Sequence, residues 1–212
     1  MLCWGDTEVT HVLFEHGVDV ATQNKDRETA LHLISSLLIY SPPQGGKVKI
    51  ACMLIKHGAK ITSQNKDRET PLHLALKHRQ LEVTSIIIQH GTKVAAHNKN
   101  GKTPLHLASQ GGQAEVTSML ITCKADVMAQ DKNGLTLLHL ASSTPLDLFR
   151  AVSWEYADIA CILLKHGTDV AVLNNDGSTA FHPVSQLGGH QGEDIINKMS
   201  NMLASTESSY FK

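Results

Sequence analysis

Apolar residues along this chain keep a helical beat that stops and restarts. Val83, Ile86 and Ile87 fall at i, i+3 and i+4, the spacing that places side chains on one face of a helix. The same triplet returns as Val9/Val12/Leu13, Ile50/Met53/Leu54, Val116/Met119/Leu120 and Ile159/Ile162/Leu163. After four of the five stands a His-Gly pair ending in Gly17, Gly58, Gly91 or Gly167, suited to stopping a helix in the left-handed conformation. A second motif, Thr-x-x-His, marks helix starts. Its threonine suits an N-cap, and Pro71 and Pro104 then fall at the first helical position, where a missing N–H costs nothing. The pattern predicts a unit of helix, turn, helix and a projecting polar turn such as 98–101.

The five Thr-x-x-His motifs begin at Thr29, Thr70, Thr103, Thr136 and Thr179, at intervals of 41, 33, 33 and 43 residues. The unit is therefore 33 residues, with insertions of 8 and 10. A second landmark keeps phase with the first: HGVDV at 16–20, HGAKI at 57–61, HGTKV at 90–94, CKADV at 123–127 and HGTDV at 166–170. The heptapeptide QNKDRET occurs twice, at 23–29 and 64–70. A fixed period of this size is the signature of a repeat architecture.

These motifs resemble the ankyrin repeat family over nearly the whole chain. The resemblance implies an all-α repeat solenoid of stacked helix-turn-helix units with projecting β-hairpin fingers. In it the fingers and first helices line a concave surface, and the motif histidines bridge the backbones of neighbouring units. The expected array covers residues 1–204 as about six units, with 205–212 as a disordered polar tail. The first unit lacks most of its first helix, so 5–20 reads as a second helix with incomplete cover. It is either part of a longer array or a shortened cap in which Leu2 and Trp4 stand in. In the last unit Pro183 interrupts the first helix, and 193–204 is expected to close the array.

Three turns depart from the pattern. Where later fingers carry Gly101, Gly134 and Gly177, the first two carry Arg27 and Arg68, and the third helix stop carries Lys124 in place of glycine. A side chain in the left-handed region costs on the order of 1 kcal/mol. These are either drift tolerated by a cooperative array or, for the two arginines, a contact with an acidic partner. The insertions are expected as loops between first and second helices, within 38–47 and 144–156. The second holds Phe149, Trp154 and Tyr156, which form either an exposed secondary patch for a partner or a small private core.

Composition adds exclusions. Only 4% of residues are aromatic, so the core must be aliphatic, and a net charge of −1 argues against a sequence-independent grip on nucleic acid or an anionic membrane. Four cysteines make no disulfide framework. Of the 13 histidines, nine belong to the Thr-x-x-His motifs or precede a helix stop, and His11, His78, His97 and His190 form no metal-binding pattern. No cofactor or metal is expected, and no nucleophile elbow or phosphate loop is present. Asp67 and Glu69 are expected on water-exposed fingertips, and Cys123 beside Lys124 is the one candidate reactive thiol.

What remains is recognition. With the geometry of the resembling family, the exposed concave positions are Lys25, Asp26, Arg27, Glu28, Lys66, Asp67, Arg68, Glu69, Lys99, Asn100, Lys102, Lys132, Asn133 and Leu135. The first-helix ends add Ser36, Lys77, His78, Gln110 and Ser143. The first two fingers are zwitterionic and the next two net basic, which suits a protein or peptide partner with acidic groups, unless these charges simply form a solvated face. The expectation is a monomeric, cytoplasmic, also nuclear, protein-interaction module without catalysis, nucleic acid or membrane. The other reading is a sensor or structural segment of a larger multidomain receptor or enzyme.

Overall fold

Thr70 opens its helix as the sequence predicts: its Oγ1 accepts the backbone N–H of His73, while His73 Nδ1 reaches back to the Thr70 N–H. The computed structural model describes residues 5–37, 45–142 and 152–180 and contains nine helices there. They are α1 (Gly5–Glu15), α2 (Ala30–Ser36), α3 (Gly45–Lys56), α4 (Pro71–Lys77), α5 (Leu81–Gln89), α6 (Pro104–Gln110), α7 (Ala114–Thr122), α8 (Leu137–Ser142) and α9 (Val152–Lys165). Helices α2, α4, α6 and α8 are the Thr-x-x-His first helices, and α3, α5, α7 and α9 are their second helices. The fold class is the expected all-α repeat solenoid. Among the described residues no strand forms, and the fingers are hydrogen-bonded turns with one isolated bridge between Gln130 and Thr136.

The chain divides into two compact units, Met1–Lys99 and Asn100–Lys212. In the first, α2 packs on α3 and α4, α4 on α5, and the second helices stack as α1, α3 and α5. In the other, α6 packs on α7 and α8, and α9 on both α7 and α8. Leu31, Leu72, Leu105 and Leu138, each two residues after its threonine, are buried, as are Leu54, Ile87, Leu120 and Leu163 on the second helices. Fully burying one such side chain contributes about 1.5–3 kcal/mol, so an aliphatic core suffices. In α1 the equivalent Val9 and Leu13 remain 58% and 47% exposed, with no first helix against them among the described residues.

Second helices end as predicted. The Gly58 N–H donates to Ile55 O and the Ala59 N–H to Leu54 O, with Gly58 at φ +86°. Lys124 reproduces this cap at φ +63°, with its N–H on Ile121 O and the Ala125 N–H on Leu120 O. Arg27 and Arg68 are also left-handed, at φ +61° and +59°. A fourth such residue was not foreseen: Arg79, at φ +53°, closes α4 where Gly112 closes α6 thirty-three residues later.

The insertions are shorter as loops than expected. Helix α3 already begins at Gly45, so 45–47 extends it, and α9 begins at Val152 and absorbs 152–156. Once anchored by an apolar face, a helix gains a hydrogen bond for each residue it adds. Lys47, expected in a loop, is buried, and its Nζ donates to Leu37 O at 2.9 Å. The Gln80 side-chain amide donates to the same carbonyl, which fixes the extended exit from α2. Burial pushes the Lys47 amine below its ordinary pKa. The proline at 183, the helix expected over 193–204 and the tail 205–212 lie outside the described residues.

Candidate functional site

Four of the fingers are each built on one polar side chain. Asn65 Oδ1 accepts the backbone N–H groups of Asp67 and Glu69, both at 2.9 Å, while the Asn65 N–H donates to Glu69 O. Asn24 holds Asp26 and Glu28 in the same way, Asp131 holds Asn133 and Leu135, and Asn174 holds Asp176 and Ser178. Such a side chain supplies acceptors that the tight turn denies to its own amides. The sequence reading did not identify these residues, although Asn or Asp recurs at 24, 65, 98, 131 and 174 in phase with the threonines.

Neighbouring fingers are joined edge to edge within each unit. In the first unit the Lys66 N–H donates to Asp26 O at 2.9 Å and the Lys99 N–H to Asp67 O at 2.8 Å. In the second, Lys132 N–H donates to Asn100 O and Asn175 N–H to Asn133 O, both at 3.0 Å. First helices clamp onto this ladder through their histidines. His32 Nδ1 faces the Thr29 N–H at 3.1 Å and so accepts, which leaves the proton on Nε2 to donate to Glu69 O at 3.1 Å. His139 is held likewise between the Thr136 N–H and Ser178 O. Burial lowers the His32 pKa, outweighing the backbone acceptor on Glu69. These two histidines thus bridge neighbouring repeats.

The charges on the fingers sort into paired and projecting groups. Lys66 Nζ lies 3.1 Å from Asp26 Oδ1, and Lys99 Nζ 2.9 Å from Asp67 Oδ1. Asp67 is exposed as expected but not isolated, since the hydrogen bond from Lys99 holds its carboxyl below the ordinary value. Glu69 is not a surface residue. It is buried, with Oε1 3.4 Å from Lys77 Nζ and its carbonyl taken by His32 and Asn65. The turn that exposes positions 67 and 68 brings residue 69 back against the first helices. Glu28 is half-buried and bonded by the Asn24 side chain. Lys25, Arg27 and Arg68 are exposed, without an ion pair among the described residues.

The remaining expected positions scatter. In the second unit Lys132 and Asn133 are exposed, Leu135 is half-buried, and Lys102 Nζ meets Gln110 Oε1 at 2.7 Å beside an exposed Asn100. In the first, Lys77 is exposed and His78 half-buried, its pKa lowered by burial and by neighbouring Lys77. Ser36 is half-buried with its hydroxyl on Leu33 O. Ser143 and Phe149 lie outside the described residues. Trp154 and Tyr156 fall within α9, inside a stretch expected to be loop.

Among the described residues no three His, Cys, Asp or Glu side chains gather as a metal site. Cys123 is exposed at the end of α7, Cys52 is half-buried and Cys161 buried, all as free thiols. No helix among the described residues is long and apolar enough to cross a membrane.

Comparison with known proteins agrees with this architecture. A family model for ankyrin repeats in three copies matches at residues 2–98, 37–131 and 88–149, and a single ankyrin repeat model matches 133–175. No curated protein matches the sequence. A solved structure, an ankyrin repeat domain from Acinetobacter baumannii AYE, superposes with a TM-score of 0.72 over 92% of this chain and 93% of that one. Its sequence identity is 19%, so this likeness speaks for the fold alone. With capped helix pairs, histidine clamps and family matches running from residue 2 to residue 175, the chain belongs to the ankyrin repeat family.

Proposed function

We propose that this chain is a non-catalytic interaction module that binds a protein or peptide partner carrying acidic groups. Ankyrin repeats generally serve as protein–protein interaction modules, and the fold is typically non-catalytic. The observation that carries the finer reading is the finger ladder. Backbone hydrogen bonds fix each fingertip against the next, so the exposed Lys25, Arg27, Lys66, Arg68 and Lys99 of the first unit are presented in a set register. The second unit adds Lys102, Lys132, Asn133 and Leu135 on its own fingers. Surfaces ordered before binding lose little conformational entropy on complex formation. Glu69 drops out of the binding set because it is buried. The three described cysteines are free thiols, which suits an intracellular, reducing compartment, and the module is read as a monomer there.

The test compares capture of partners by the wild type and by a variant with Lys66, Arg68, Lys99 and Lys102 reversed in charge, each retained partner being confirmed as purified protein. Loss of a partner's acidic-segment binding in the variant is expected. Equal retention by both proteins would refute the finger-face reading.

A further inference from the structure

We propose that Arg27 and Arg68 form a paired guanidinium anchor on the first unit for an acidic peptide segment with carboxylates three residues apart. This rests on the interaction reading above and narrows it to two side chains and one ligand geometry. The sorting of charges is the first reason. Lys66 and Lys99 are engaged by Asp26 and Asp67, and Lys77 by Glu69. The two arginines project beside these neutralised pairs, exposed and without an ion pair among the described residues.

Backbone conformation is the second. Both arginines hold the left-handed conformation that Gly101, Gly134 and Gly177 hold on the other fingers. Glycine would be less strained there, and a side chain in an unfavourable conformation at a fingertip points toward function. Arg79 and Lys124 are also left-handed, but each ends a helix, and neither repeats on an adjacent unit. At the fingertips the same residue appears twice, in the same register, inside two copies of one heptapeptide.

Register supplies the ligand geometry. The Lys66 N–H to Asp26 O bond holds the two turns side by side, and α2 packs directly on α4. Packed helices lie about 8–10 Å apart, so the two equivalent fingertip positions that carry the arginines recur at about that interval. A peptide in the polyproline II conformation turns once every three residues and rises about 3.1 Å per residue, which puts carboxylates at i and i+3 on one face about 9 Å apart. Guanidinium grips carboxylate through two parallel hydrogen bonds, which a lysine cannot reproduce. The intervening Lys–Asp pairs add no net positive charge for a dense polyanion and leave room for two discrete carboxylates.

Fluorescence anisotropy on the full chain, with a labelled Ser-Glu-Ser-Ser-Glu-Ser peptide in low salt, tests the proposal. Arg27→Gly/Arg68→Gly should weaken binding about tenfold, as two exposed charge contacts would, while its melting temperature stays level or rises. Lys66→Gln/Lys99→Gln should weaken binding by about two- to threefold, less than the arginine variant because each lysine is already engaged by an aspartate, and a Ser-Glu-Glu-Ser-Ser-Ser peptide should bind less well than the spaced one. Retained binding in the arginine variant with loss in the lysine variant would overturn the anchor and keep the finger-face reading. No binding of either peptide by wild type, or equal binding of heparin, would overturn the anchor, and partner capture with the charge-reversed variant would then decide the wider reading.

Discussion

The fingers of the two units solve the same backbone problem with different chemistry. In the first unit a left-handed arginine tops each turn, and Lys–Asp pairs overlie the backbone ladder. In the second, Gly101 and Gly134 occupy that position, and the pairs give way to Asn100 and Asn133. Space explains part of this. A Cβ added to Gly101 would stand 2.9 Å from the Lys132 backbone nitrogen, and one on Gly134 would meet Asn175 Oδ1 at 2.6 Å. Gly177 faces nothing within 4 Å. The first fingers therefore accept strain in exchange for a projecting cation, whereas Gly101 and Gly134 are packed too closely to carry one.

The largest expected effect comes from breaking that packing. Gly101→Ala and Gly134→Ala combine a left-handed β-carbon with a steric conflict and should destabilise by about 2–4 kcal/mol. Gly177→Ala should cost only the conformational part, about 1 kcal/mol. Thermal or denaturant unfolding of the three variants checks the grading, and equal losses would contradict the crowding argument. Removing a finger's internal acceptor comes next. Asn65→Ala removes a buried acceptor, stranding the amide of buried Glu69 beside that of exposed Asp67, and should cost about 2 kcal/mol. Asn24→Ala, at an exposed turn where water can substitute, should cost under about 1 kcal/mol.

Much of this could be read from the chain, and the unread parts have identifiable causes. The 33-residue period and Thr-x-x-His motifs carry the fold, because caps and apolar triplets act locally and repeat. The arginines at 27 and 68 and Lys124 were placed correctly as left-handed by phase with glycines. Arg79 obeys the same logic against Gly112, but without the heptapeptide beside it the signal is faint. Burial of Glu69 and Lys47 was not legible, since each depends on how a turn or a lengthened helix folds back onto first helices. Asp67 was rightly placed in water, yet its partner Lys99 sits on the next finger, and pairing across repeats needs the ladder register.

Smaller effects sharpen the contrast. Arg68→Gly should stabilise by about 0.5–1 kcal/mol, opposite in sign to Gly134→Ala at the equivalent position. Acid should act through His32, whose folded pKa is held below the ordinary 6.5 by burial. The unfolded chain then takes up a proton near pH 6.5 that the folded state still refuses. Stability contributed by neutral His32 is full above 6.5 and lost as pH falls through the folded value. Melting curves between pH 8 and 5 should show the decline, with a shallower slope in His32→Asn.

Amide hydrogen exchange on the intact, unbound chain probes the central claim, that the fingers are ordered in register before any partner arrives. The Lys66, Lys99, Lys132 and Asn175 amides should be protected to the same order as those of α4 and α6, with the Lys25 amide exchanging far faster. Exchange of all four ladder amides at the rate of an unstructured peptide would contradict a preorganised recognition surface.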